Sequence, residues 1–114
     1  MKNEIFQTCL NALGFESFNE MQQNCINTFE TNKYVRLQSP TGSGKTLAFL
    51  ASSLHNLTPG IPFQMMILAP SRELAIQIAD VWKSMQTGMQ AVCCYGGHDK
   101  KIESNRLKSG PEVV

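Results

Sequence analysis

The run Thr41-Gly42-Ser43-Gly44-Lys45-Thr46 constrains this 114-residue chain more than any other feature. Its two glycines, lysine and hydroxyl stand where a loop that cradles phosphate needs them. Tyr34-Val35-Arg36-Leu37 before it has the pattern of a strand, and Thr46-Leu47-Ala48-Phe49-Leu50-Ala51 after it that of a helix. Strand, loop and helix in that order are the context in which such a loop binds a nucleoside triphosphate. Backbone N–H groups of Gly42 to Thr46 are expected to face the phosphates, aided by the positive end of the helix. Lys45 is expected to reach the β- and γ-phosphates and the Thr46 hydroxyl to ligate Mg²⁺. Ser39 stands at the first position of the pattern, where Gly or Ala is usual.

The length is that of one small domain, and 42% hydrophobic residues suffice for a core. Ten basic against nine acidic residues give a net charge of +1. No global field points to a nucleic-acid or membrane partner, so any such binding must be local. Cys9, Cys25, Cys93 and Cys94 lie in apolar surroundings, and none forms a zinc-type pair. They read as reduced core cysteines of a cytosolic protein. Met1-Lys2-Asn3-Glu4 is polar, unlike the start of a signal peptide, and no stretch approaches the roughly 18 apolar residues of a membrane span. A cytoplasmic location is expected, with no membrane partner.

Helical and strand signals alternate along the chain. Ile5, Cys9, Leu10 and Leu13 keep a helical period that Gly14 should end, and Asn19 should cap a second helix through Met21, Cys25, Ile26 and Phe29 that stops at Thr31-Asn32-Lys33. The phosphate-loop helix should close before the turn Pro59-Gly60-Ile61-Pro62. Gln64-Met65-Met66-Ile67-Leu68-Ala69 is a continuous apolar run, the pattern of a strand buried on both faces. A long helix from Ser71 should bury Leu74, Ile78, Val81 or Trp82, and Met85. Gln90 to Tyr95 reads as a further strand ended by Gly96-Gly97, His98 to Ser109 as a polar helix, and Pro111 to Val114 as the start of one more strand. The alternation predicts an α/β domain with a mostly parallel sheet.

Splitting a nucleotide needs a carboxylate at the tip of a buried strand and a group that positions water. None of the nine acidic residues stands at such a tip, because the predicted strands end in Ser39-Pro40, Ala69-Pro70 and Tyr95-Gly96. The chain by itself is therefore expected to bind a nucleotide and not to hydrolyse it.

Three further segments carry a family resemblance. Gly14-Phe15-Glu16-Ser17-Phe18-Asn19-Glu20-Met21-Gln22, Pro70-Ser71-Arg72-Glu73-Leu74-Ala75-Ile76-Gln77 and Gly96-Gly97, in order around the loop, resemble the start of a DEAD-box ATP-dependent RNA helicase. The resemblance implies a P-loop NTPase with a RecA-like three-layer fold, a truncated parallel sheet with helices on both faces. It makes residues 1–114 the N-terminal part of the helicase ATP-binding domain, with an adenine-reading segment at 14–22, the phosphate loop at 39–46 and an RNA-backbone segment at 70–77. ATP and Mg²⁺ are the implied cofactors, and single-stranded or short duplex RNA the implied partner. Gln22, Thr41, Gly42, Ser43, Gly44, Lys45 and Thr46 would hold the nucleotide, with Lys45 catalytic and Thr46 on the metal. Pro70, Ser71, Arg72, Gly96 and Gly97 would meet RNA.

Physical chemistry supports these roles. A glutamine offers an acceptor and two donors to the N6 and N7 edge of adenine. Arg72 at a helix mouth offers a fork of donors to phosphate, and paired glycines let a sugar-phosphate chain approach closely. Phe18, Asn19 and Met21 depart from the family's usual Pro, Thr or Ser, and Ile. The family's adenine-stacking aromatic would lie upstream of Met1, and its Asp-Glu-Ala-Asp box and second domain past Val114. With the strands of those motifs missing, Val35 to Leu37 and Met65 to Leu68 should present bare edges, and the isolated chain should associate with itself or be marginally folded. Two other readings stay open: another P-loop enzyme such as a nucleotide kinase, and a nucleotide- or RNA-binding fragment without catalysis.

Overall fold

The computed structural model describes residues 2–97 and 99–114; His98, at the head of the predicted polar helix, lies outside them. The chain divides after Asn56 into two compact units.

In the first unit, α1 (Lys2–Leu13) ends as its glycine requires. Gly14 takes φ 78°, its N–H donates to Asn11 O at 3.2 Å, and the Phe15 N–H donates to Leu10 O at 2.9 Å. That pair of bonds satisfies the last carbonyls of the helix through a left-handed residue that glycine adopts without strain. Helix α2 (Glu20–Thr31) is capped by Asn19, and α3 (Lys45–Ser53) runs on into a short 3₁₀ turn at Leu54–Asn56. Cys25 and Ile26 of α2 and Leu47, Ala48, Leu50 and Ala51 of α3 are buried. The Ser52 hydroxyl, itself buried, donates to Ala48 O and lies 3.3 Å from Cys25 Sγ. Phe6 of α1 meets Phe18 and His55 edge-on, and His55 Nε2 lies 2.9 Å from Glu30 Oε1.

The second unit is built on α4 (Arg72–Met85) and α5 (Lys100–Leu107). Helix α4 buries Ile78, Trp82 and Met85. Of the predicted pair Val81 or Trp82, the indole is the buried member, and its Nε1 donates to Met89 O at 3.0 Å. Three extended segments run beside the helices, with 111–114 between 63–67 and 90–92. Met65 N–H and Ile67 N–H donate to Glu112 O and Val114 O, and Val114 N–H returns a bond to Met65 O. On the other side Val92 N–H donates to Val113 O and Val113 N–H to Gln90 O.

These contacts correct the expected fold. Among the described residues there is no strand and no sheet, hence no three-layer RecA-like sheet with helices on both faces. The pairing amounts to two isolated parallel bridges, Met65 to Val113 and Ala91 to Val113. A strand is a relation between two segments. Pro111 has no N–H to donate and joins only through its carbonyl, which accepts from Phe63 N–H at 2.8 Å, so the central segment offers its neighbours three N–H groups. Tyr34 to Leu37 is not a strand at all. Val35 and Leu37 are half-buried and Tyr34 and Arg36 exposed, so the alternation of a strand persists without a ladder. Nor is the Met65 run buried on both faces: Met65 and Ile67 turn inward, whereas Met66 and Leu68 are 73% and 86% exposed.

Candidate nucleotide and nucleic-acid sites

The phosphate-loop segment lies in the first unit, between an extended run and α3. Gly42 and Gly44 both adopt left-handed backbone, φ 81° and 90°, and Gly44 leads directly into the helix. Left-handed residues alternating with right-handed ones turn successive N–H groups toward one concave side, a form suited to anions. No side chain caps α3 at Gly44, so the first N–H groups of the helix remain as donors for a ligand. Within the loop, Ser43 N–H donates to Pro40 O, and the hydroxyls of Ser39 and Ser43 are hydrogen-bonded to each other. Ser39, which departs from the usual Gly or Ala, thus has a local partner. Lys45 and Thr46, the first two residues of α3, are half-buried.

The loop is tied to α2 by two carboxamides. Asn19 Oδ1 accepts from Gln22 N–H at 2.8 Å and Gln22 Oε1 accepts from Asn19 N–H at 3.0 Å, a reciprocal capping box. The same two side chains then reach the loop: Asn19 Nδ2 donates to Ser43 O at 3.1 Å and Gln22 Nε2 to Gly44 O at 3.2 Å. These bonds fix which end of each amide is oxygen, since an N–H must meet oxygen and a carbonyl must meet nitrogen. Gln22 is 7% exposed and has spent one donor and one lone pair here. One donor and one lone pair remain, the pair needed for the N7 and N6 edge of adenine. The positive φ of Gly44 favours glycine, and a Cβ there would lie 2.6 Å from Gln22 Nε2, so a larger residue would displace the Gln22 amide from its bond to Gly44 O. The role of Asn19 at the loop was not legible beyond its capping, although the spacing Asn19 to Gln22 is that of a capping box.

The second unit holds the other residues. Ser71 caps α4, its hydroxyl accepting from Leu74 N–H at 3.2 Å. Arg72, the first residue of α4, is brought to Gly97: a Cβ there would come within 3.6 Å of Arg72 Nη1. The structure therefore joins the segment at Pro70 to Arg72 with Gly96-Gly97, residues some two dozen positions apart. Tyr95, which sequence reasoning did not single out, lies under the guanidinium, 5.9 Å from Arg72 Cζ to the ring centroid. Its neighbours Cys93 and Cys94 are free thiols, as are Cys9 and Cys25; only Cys9 and Cys25 are buried as expected, whereas Cys93 is half-buried and Cys94 exposed. Burial raises the Cys93 and Cys94 thiols above their ordinary 9.0, and the carboxylate of Glu103 adds to it.

Glu112 is a buried carboxylate outside both sets of residues. Its Oε2 accepts from Gly60 N–H at 3.3 Å and its Oε1 from Gln90 N–H at 3.2 Å. Burial pushes its pKa up, but these backbone donors outweigh burial and hold the carboxyl below its ordinary 4.5. It fastens the central extended segment to Gly60 on one side and to Gln90 on the other. Among the described residues, no group of His, Cys, Asp and Glu could hold a metal ion, and no helix is long and apolar enough to cross a membrane.

A family model described as DEAD/DEAH box helicase matches residues 19–114, from the Asn19 cap to the last residue. The chain belongs to the DEAD/DEAH box helicase family. It is 37% identical over 109 residues to "ATP-dependent RNA helicase DeaD" of Escherichia coli (strain K12), covering 92% of this chain and 17% of that protein. The protein of the same description from Haemophilus influenzae is 37% identical over 97% of this chain and 19% of its own length. "DEAD-box ATP-dependent RNA helicase CshC" of Bacillus cereus is 36% identical over 96% of the chain and 29% of its length. The chain thus spans between a sixth and a third of these helicases. Membership in the family removes the nucleotide-kinase alternative.

Proposed function

We propose that this segment supplies the nucleotide pocket and part of the RNA track of an ATP-dependent RNA helicase, an enzyme that unwinds or remodels RNA at the expense of ATP hydrolysis. The observation that carries the reading is the bond from Gln22 to Gly44 O, which sets the Gln22 carboxamide against the phosphate loop. The loop from Thr41 to Gly44 wraps the phosphates. Lys45 neutralises the β- and γ-phosphates and is the catalytic residue of this segment. The Thr46 hydroxyl would hold a Mg²⁺ ion, which would supply positive charge at the phosphates. Gln22 reads adenine with its remaining donor and lone pair. Pro70, Ser71, Arg72, Gly96 and Gly97 meet the RNA backbone, and because they touch phosphate and sugar they carry no base preference.

The 114 residues alone bind ATP or ADP without splitting it, because the runs of strand character end in Ser39-Pro40, Ala69-Pro70 and Tyr95-Gly96 and not in a carboxylate. The family, together with four thiols kept free, favours the cytoplasm. Titration calorimetry of the chain with ADP and Mg²⁺, with Lys45→Ala beside it, tests the pocket. Heat from the native sequence that vanishes in the variant is expected, and equal heats from both would refute it.

A further inference from the structure

Tyr95 is given no RNA contact above, yet its ring lies under the guanidinium of Arg72. Its backbone N–H donates to Glu103 Oε2 at 3.0 Å, which anchors the end of its extended segment to α5. Asp99 in turn caps α5 through Lys101 N–H and Ile102 N–H. The ring so held lies 5.9 Å from Arg72 Cζ, and Nη1 of the same guanidinium reaches over Gly97. Arg72 is otherwise loosely placed: its side chain is 55% exposed, and its Nε is 4.0 Å from the carboxylate of Glu73, which competes for it.

An arginine at the start of a helix has many rotamers, and ordering it on a phosphate costs entropy. An aromatic face attracts the flat side of the guanidinium and leaves the N–H edges free for an anion. We propose that Tyr95 is a positioning residue for RNA, holding Arg72 over Gly96-Gly97 so that a backbone phosphate meets its donors already placed. This rests on the RNA-backbone reading of Arg72 and Gly97 given above. It adds a residue that touches no nucleotide and acts through its neighbour.

The test is binding of fluorescein-labelled oligouridylate, and of an unrelated single-stranded RNA, to the full-length protein over a series of salt concentrations. Arg72→Ala should weaken both by roughly tenfold and flatten the salt dependence by about one ion. Tyr95→Leu should weaken both by about two- to fivefold, the worth of an exposed cation–π contact, while Tyr95→Phe, which keeps the ring, binds as the native protein does. The double variant Arg72→Ala/Tyr95→Leu should bind no more weakly than Arg72→Ala alone, and ADP affinity should be the same in all. Tyr95→Leu binding as native, or costing as much without Arg72 as with it, overturns the inference and leaves the RNA reading standing. Arg72→Ala without effect overturns the RNA reading itself. Should Tyr95→Leu not fold, Arg72→Lys keeps the charge and loses the flat face; native affinity in that variant would equally overturn the role of the ring.

Discussion

The Nε2 of Gln22 donates to the carbonyl oxygen of Gly44 at 3.2 Å, so the first turn of α2 and the phosphate loop are held by one side chain. The same amide completes the cap of α2 through Asn19 N–H. Gln22 thus serves both the helix start and the loop, beside Asn19, which caps α2 and holds Ser43 O, and two substitutions test the base recognition proposed for Gln22.

Gln22→Glu keeps an oxygen for Asn19 N–H but sets a carboxylate against Gly44 O. Gln22→Ala removes both bonds. The alanine variant keeps the Asn19 cap on the backbone N–H of residue 22 but loses the reciprocal bond from Asn19 N–H, which should lower stability by about 1 kcal/mol, and the glutamate variant should retain more of it. ADP affinity should fall at least about tenfold in both, because in each an amide donor is lost from a buried position. Calorimetry and thermal melting on the same samples measure the two effects, and native ADP affinity in Gln22→Glu would dissociate the amide from the pocket.

Gly44→Ala should be the most damaging small change in the loop. Its φ of 90° is strained for any L side chain, and the added carbon would press on Gln22 Nε2. Gly42→Ala shares the strain, at φ 81°, but meets nothing within 4 Å. Both should bind ADP more weakly than the native chain, Gly44→Ala the more so, and only Gly44→Ala should also disturb the cap of α2. Amide exchange at Gln22 N–H reports on that cap.

The buried carboxylate of Glu112 should make the second unit sensitive to acid. Its pKa is depressed in the folded chain, so its stabilisation is fully present above the ordinary 4.5 and is lost as pH falls below that value through the folded one. Denaturant midpoints taken from pH 7 down to pH 3 (roughly that span of carboxylate titration) should drop for the native sequence. Glu112→Gln should be less stable at neutral pH and show a flatter profile, since its amide cannot accept from both Gly60 and Gln90 as a carboxylate does. Parallel profiles would assign the acid sensitivity to another group.

Met66 and Leu68 are exposed beside a cavity of about 230 Å³ lined by Ile67, Ile78, Trp82, Val92 and Val113. So much uncovered apolar surface should make the isolated 114-residue chain associate as its concentration rises. Sedimentation at several concentrations should show this, and Met66→Lys/Leu68→Lys should shift the chain to monomer. A native chain that stays monomeric throughout would count against it.

The local features of the chain were legible in its residues because each is decided within a few positions. Gly14 ends α1, Asn19 starts α2, Ser71 starts α4, and the two loop glycines precede Lys45, since helix stops, caps and tight turns depend on residues at most five apart. The ordered set of motifs likewise sufficed to place the chain in its family. What tertiary structure decided is everything that joins distant segments. An apolar run such as Met65 to Ala69 states a preference for extended backbone but cannot say whether a partner will be there, and here the pairing stops at single bridges to Val113. The same holds for side chains whose pattern is ordinary: Tyr95 under Arg72, Glu112 between Gly60 and Gln90, and Gln22 against Gly44 acquire their roles from neighbours more than twenty residues away. No local propensity encodes those contacts, because their free energy exists only once the chain has closed the loops between them.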